Sequence, residues 1–133
     1  GPKSQQFLKH LRAGRPVWRS NWTFQATPRL DTAVEIAAEW RPLRSAVTRA
    51  NAADLVHLRI EYQKLFRLPT TGAVVFSIHT LLVSLRELAA CEPEASLSIG
   101  ALRSLAPEVA RYKGLDGYAT LAAEVLEELK GRH

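Results

Sequence analysis

The sequence has no methionine and a single cysteine among its 133 residues. With Cys91 alone, no internal disulfide can form, and the chain fits a reducing compartment, so a cytoplasmic location is expected. Cys91 follows the Ala-rich end of "LRELAA" and reads as a small thiol, not as a nucleophile or haem ligand. No signal peptide is visible and no apolar run approaches the length of a bilayer span, so no membrane partner is expected. The opening Gly1-Pro2 matches the pair that tag cleavage leaves. Together with the missing Met, it makes the chain an expected piece of a longer protein, with residues 1–2 as a scar.

Motifs are also missing. There is no GxGxxG or GxxxxGK[ST] phosphate loop, no GxSxG elbow and no HExxH pair. The four histidines, at 10, 57, 79 and 133, and the lone Cys lack the spacing of a zinc site.

What remains is a globular composition. Hydrophobic residues make up 47% and charged residues 23%, which suits one domain over 1–133. The net charge of +5 comes from scattered Arg residues and reads as a solvated surface, with no nucleic acid as partner. "VWRSNW" does interleave Arg with Trp as single-strand binders do, but a core strand uses the same spacing.

Hydrophobic periodicity then places the elements. Residues 4–13 read as a short amphipathic helix with Phe7, Leu8 and Leu11 on one stripe. Trp22 to Gln25 read as a strand, and 26–53 as irregular, with a helical fragment in "TAVEIAAEW" cut off by Pro42. "SLRELAA", 84–90, carries a capping box in Ser84 and Glu87. Helical runs follow over 98–105 and 107–112, the second ended by Gly114. "GYATLAAEVLEELKGRH" puts Leu121, Val125, Leu126 and Leu129 on one stripe of a final helix.

The most informative stretch is "LVHLRIEYQKLFRLPTTGAVVFSIHTLLVSL", 55–85. Val56, Leu58, Ile60 and Tyr62 alternate with His57, Arg59, Glu61 and Gln63, the period of a half-buried strand. A second strand over 73–83 alternates in the same way, with Ser77 and His79 on its polar side. Leu65-Phe66 suggests a bulge. A five-residue loop, Leu68 to Gly72, would join the strands and set Glu61 across from His79 and Gln63 across from Ser77. A carboxylate there would favour the charged imidazole and orient its ring. Without that partner reading, His57 and His79 on facing strands are only weak candidates for a metal.

The run "RIEYQKLFRLPTTGAVVFSIHT" resembles the haem-dependent oxidative N-demethylase family, whose segment has the form R-x-E-R-Q-x-L-x-R-L-P-x-[ST]-G-A-x-x-F-x-I-R-T-Y. Arg59, Glu61, Gln63, Leu65, Arg67, Leu68, Pro69, Thr71, Gly72, Ala73, Phe76, Ile78 and Thr80 match it. "GRPVWRSNW", 14–22, and "APEVARYKGL", 106–115, are similar to two flanking segments of the same family. Tyr62, His79 and Leu81 depart from it, standing where the family carries Arg, Arg and Tyr.

The resemblance implies an α+β, PAS-like antiparallel sheet, about three strands here, with flanking and C-terminal helices. It covers the C-terminal half of the family's haem domain. It implies haem b as cofactor and oxidative demethylation of a small alkylamine. Glu61 and His79 are then the candidate catalytic residues, Glu61 relaying a proton or holding the amine. Arg59, His57, His79 and Arg19 are candidates for holding the haem, with His79 as iron ligand and Arg59 on a propionate. The competing reading is a non-catalytic PAS-like module whose sheet binds the missing N-terminal half or a second copy of the chain.

Overall fold

The computed structural model describes residues 15–132; the helix expected over 4–13 lies outside that range. The fold is α+β: one antiparallel three-stranded sheet in the order β1-β2-β3, followed by helices. The strands are β1 (Val17–Gln25), β2 (His57–Arg67) and β3 (Val74–Ser84). β1 is longer than the expected Trp22–Gln25. Arg19, Ser20 and Asn21 carry no strand propensity of their own and are held extended by pairing with β2, a tertiary effect that overrides local preference.

Between β1 and β2 the chain is irregular, as expected. It makes 3-10 turns over Val34–Ile36 and Arg41–Ala46 around the one-turn helix α1 (Ala37–Trp40), then the one-turn helix α2 (Ala52–Leu55). After β3 come α3 (Leu85–Leu88), α4 (Glu94–Arg103), α5 (Pro107–Lys113) and α6 (Ala119–Lys130). The capping box forms: Ser84 Oγ accepts from the Glu87 N–H, and Glu87 Oε1 accepts from the Ser84 N–H. α4 starts at Glu94 rather than 98, because Ala95, Ile99 and Leu102 already follow helical spacing and are buried. Pro107 opens α5 and Gly114 closes it with φ 71, the left-handed cap that glycine adopts without steric cost.

By contacts the chain forms two compact units. One contains Ile60–Thr80 with residues up to Trp22, that is, the outer parts of the three strands and the hairpin turn. The other contains Thr23–Arg59 and the chain from Leu81 onward. In the second unit α6 is the hub, packing against α4, α2 and α3. Val56, Leu85, Leu88, Leu115 and Leu126 are fully enclosed there, and Ala122 and Ala123 let the neighbouring helices approach closely. The Arg44 guanidinium stacks 5.3 Å from the centroid of the Trp40 ring and lies where a side chain at Gly114 would go. Gly114 therefore serves twice, as helix cap and as space for Arg44.

The hairpin register differs from the expected one. The Leu68 N–H donates to the Ala73 carbonyl at the turn, and the Leu85 N–H donates to the Val56 carbonyl at the other end. Stepping back along β3 from Leu85 while stepping forward along β2 from Val56 arrives at Leu68 opposite Ala73. One unbroken register therefore joins the two ends, and no bulge interrupts it at Leu65-Phe66. It pairs Glu61 with Thr80, Tyr62 with His79 and Gln63 with Ile78. The loop closes one residue later than expected because Leu68 itself pairs with Ala73. Its carbonyl accepts from the Gly72 N–H across a turn in which Gly72 takes φ 71, and Arg67 Nη1 donates to the Gly72 carbonyl at 2.6 Å.

A surface ion pair gives the second unit a pH-dependent contribution. Arg86 donates through Nε and Nη2 to the two carboxylate oxygens of Asp54 at 2.8 and 2.9 Å. These hydrogen bonds hold the Asp54 carboxyl below its ordinary range, with partial desolvation opposing them and the Arg86 charge adding to them. A carboxyl lowered in the folded state stabilises above its unfolded-state pKa, and that contribution disappears as pH falls through the folded-state value. In chemical denaturation, Arg86→Met is expected to be less stable than the parent at neutral pH. The gap should close as pH drops below the usual Asp range; a gap that stays constant with pH contradicts this.

Candidate functional site

Within the unit that carries the hairpin turn, the register sorts the side chains onto two faces. Arg19, Glu61, Gln63, Phe76, Ile78 and Thr80 share one face. Trp18, Trp22, Ile60, Tyr62, Lys64, Phe66, Ser77 and His79 share the other. The assignment of β1 follows from two contacts with β2. Arg19 Nε donates to Gln63 Oε1 at 2.7 Å, and Lys64 Nζ lies 4.9 Å from the centroid of the Trp18 ring.

The first face carries a hydrogen-bonded line of polar groups. Gln63, 6% exposed, accepts from Arg19 and donates through Nε2 to Glu61 Oε2 at 3.3 Å. An amide between a guanidinium and a carboxylate satisfies both of its polar ends, which is what a buried glutamine needs. Phe76 and Ile78 on the same face are about half exposed.

The second face is built differently. Trp18, Trp22 and Tyr62 are exposed, and His79 is exposed beside Tyr62, its cross-strand partner. Lys64 lies over two rings, those of Trp18 and Phe66, with its ammonium 4.9 and 5.3 Å from their centroids. Tyr62 and Lys64 interrupt an otherwise apolar alternation between Ile60 and Phe66. From the sequence Tyr62 counts as part of the apolar side and Lys64 is assigned to neither, so their membership of an open aromatic face was missed. The signal that could have found them is the unusual content of that side, one phenol and one ammonium among the apolar residues.

The nominated residues therefore do not form one cluster. Glu61 and His79 lie on opposite faces, which corrects the expected carboxylate–imidazole pair: Thr80, not His79, stands opposite Glu61. Arg19 lies on the Glu61 face, bound to Gln63. In the other unit, Arg59 Nη1 donates to the Leu30 carbonyl at 2.7 Å and to Gln25 Oε1 at 3.2 Å, holding the loop after β1. His57 is 8% exposed, and its Nδ1 lies 2.9 Å from the Leu55 carbonyl. A carbonyl can only accept, so this contact places a proton on Nδ1.

That unit also contains a cleft of about 270 Å³, lined in part by Leu102, Arg103, Pro107, Arg111, Asp116 and Thr120. Its lining offers no imidazole, thiolate or phenol to an iron. Among the described residues no group of three or more His, Cys, Asp or Glu side chains converges as a metal site, and no helix is long and apolar enough to cross a membrane.

A haem needs one axial donor and a flat apolar surface for its ring. The second face carries one imidazole, that of His79, and the exposed rings of Trp18, Trp22 and Tyr62, which are groups of the kinds a haem can use.

The polar line on the first face makes a separate prediction. Gln63→Met should cost about 1–3 kcal/mol in urea unfolding, because it leaves Arg19 and Glu61 without the amide that joins them. Loss of less than a few tenths of a kcal/mol contradicts the network.

The hairpin carries Arg59, Glu61, Gln63, Arg67, Pro69, Gly72 and Ala73, and α5 ends in Arg111, Tyr112, Lys113 and Gly114. The family model described as "Haem-dependent oxidative N-demethylase, alpha subunit-like" matches residues 1–122. The chain belongs to the haem-dependent oxidative N-demethylase, alpha subunit-like family.

Proposed function

We propose that this chain is a haem-dependent oxidative N-demethylase-like domain that uses the aromatic face of its hairpin as one wall of a haem b site. The observation that carries the reading is the lone imidazole of His79 on an exposed sheet face lined by Trp18, Trp22 and Tyr62, in a chain of a family named for haem dependence.

In this reading His79 would hold the iron through its imidazole, and the rings of Trp18, Trp22 and Tyr62 would offer the porphyrin apolar contact. Lys64, on the same face, would pair with a propionate, the role that the family resemblance suggests for Arg59. A bound haem supplies the one-electron and oxygen chemistry that an oxidative demethylation requires. Glu61 has a supporting role. Together with Gln63 and Arg19 it stiffens the sheet from the opposite face and so fixes the rotamer environment of the wall, rather than exchanging protons with the substrate.

An absorbance titration with haemin tests the assignment. The protein is expected to develop a sharp Soret band that saturates. His79→Ala should shift or abolish the band, while Glu61→Gln should leave its position unchanged. A protein that stays colourless, or an unaltered Soret band in His79→Ala, overturns the reading.

A further inference from the structure

β3 forms one edge of the three-stranded sheet, and among the described residues no strand pairs along its outer side. Native sheets guard long edges with charges, proline or bulges, because unpaired N–H and C=O groups template pairing with another strand. β3 has none of these guards. Over its 11 residues, VVFSIHTLLVS, there is no Lys, Arg, Asp, Glu or Pro, and its register with β2 runs unbroken.

The register also shows which backbone groups face outward. Leu68–Ala73 is a hydrogen-bonded pair. In antiparallel pairing such pairs alternate, so Val75, Ser77 and His79 spend their backbone groups on β2. Val74, Phe76, Ile78 and Thr80 direct theirs to the open edge. The same residues carry the exposed apolar side chains of this segment: Phe76 is 49% and Ile78 52% exposed.

We propose that the Val74–Thr80 edge pairs antiparallel with the same segment of a second copy, joining two sheets into one across a two-fold axis at Ser77. This register sets Phe76 opposite Ile78 of the second copy and Ile78 opposite its Phe76, so the two exposed apolar side chains of each copy are covered together. It also sets Val74 opposite Thr80 of the second copy, and every outward N–H and C=O of the segment then finds a partner.

A second copy is favoured over a foreign strand because the edge is complementary to itself in both respects, apolar against apolar and uncharged against uncharged. The opposite edge does not offer this. There β1 carries Arg19 in mid-strand, and a β1-to-β3 contact would be head-to-tail, propagating without closing. The proposal uses only the hairpin edge and does not depend on haem.

Sedimentation analysis of the full chain tests it, with three variants. The parent is expected to run at twice the mass of one chain. Ile78→Lys should run at the mass of one chain with an unchanged far-UV circular dichroism spectrum, since that side chain is already solvent-exposed. The axis places the two Ser77 residues in a non-hydrogen-bonded pair with Cα atoms about 4.5 Å apart, within disulfide reach. In a Cys91→Ser background, Ser77→Cys should therefore oxidise to a covalent dimer, whereas Val75→Cys should not. A parent chain that sediments as a monomer overturns the proposal, as does a two-chain mass for folded Ile78→Lys. Cross-linking through Val75→Cys but not Ser77→Cys overturns it too.

Discussion

One hydrogen bond, from the Leu68 N–H to the Ala73 carbonyl, sets what the rest of this sheet can do. Side chains alternate across a strand with period two, so moving the point of closure by one residue moves every β3 side chain to the other face relative to β2. With closure at Leu68–Ala73, His79 joins Tyr62 and the tryptophans, and Glu61 joins Arg19 and Gln63. The turn residues enforce this point. Gly72 at φ 71 allows the chain to reverse, and Arg67 ties back to the Gly72 carbonyl.

The two faces then divide the work. On one, Gln63 is held between a guanidinium and a carboxylate, and its near-complete burial makes that network costly to break. On the other, large rings and an imidazole remain in the open. Polar groups that are hydrogen-bonded and enclosed contribute to rigidity, whereas exposed rings beside an imidazole are suited to holding a ligand. This division, together with membership of a family named for haem dependence, supports the proposal of a haem wall on the His79 side with Glu61 in a structural part.

What could be read from the sequence follows the range of the interactions involved. The Ser84–Glu87 capping box and the Gly114 stop are local and were legible, as was the period-two run from His57 to Gln63. The α+β fold class was legible as well, as what the family resemblance implies, with the period-two strands and the amphipathic last helix in keeping with it. The length of β1 was not, because Arg19, Ser20 and Asn21 are extended only through pairing with β2. The register was not legible either. Leu68 reads equally well as the first residue of a loop or the last of a strand, and that choice moved His79 away from Glu61. Glu61 and His79, expected to face each other, thus lie on opposite faces of the sheet. Lys64 went unnoticed because its side of β2 otherwise reads as apolar, and Tyr62 stood out only as a departure from the family's segment.

The face assignment rests on the register, and the register can be read directly from Hα–Hα nuclear Overhauser contacts, which are strong only at non-hydrogen-bonded pairs of an antiparallel ladder. Contacts between Glu61 and Thr80 and between Gln63 and Ile78 are expected. A Glu61–His79 or Gln63–Ser77 contact in their place would return His79 to the Glu61 face and contradict the division of the sheet.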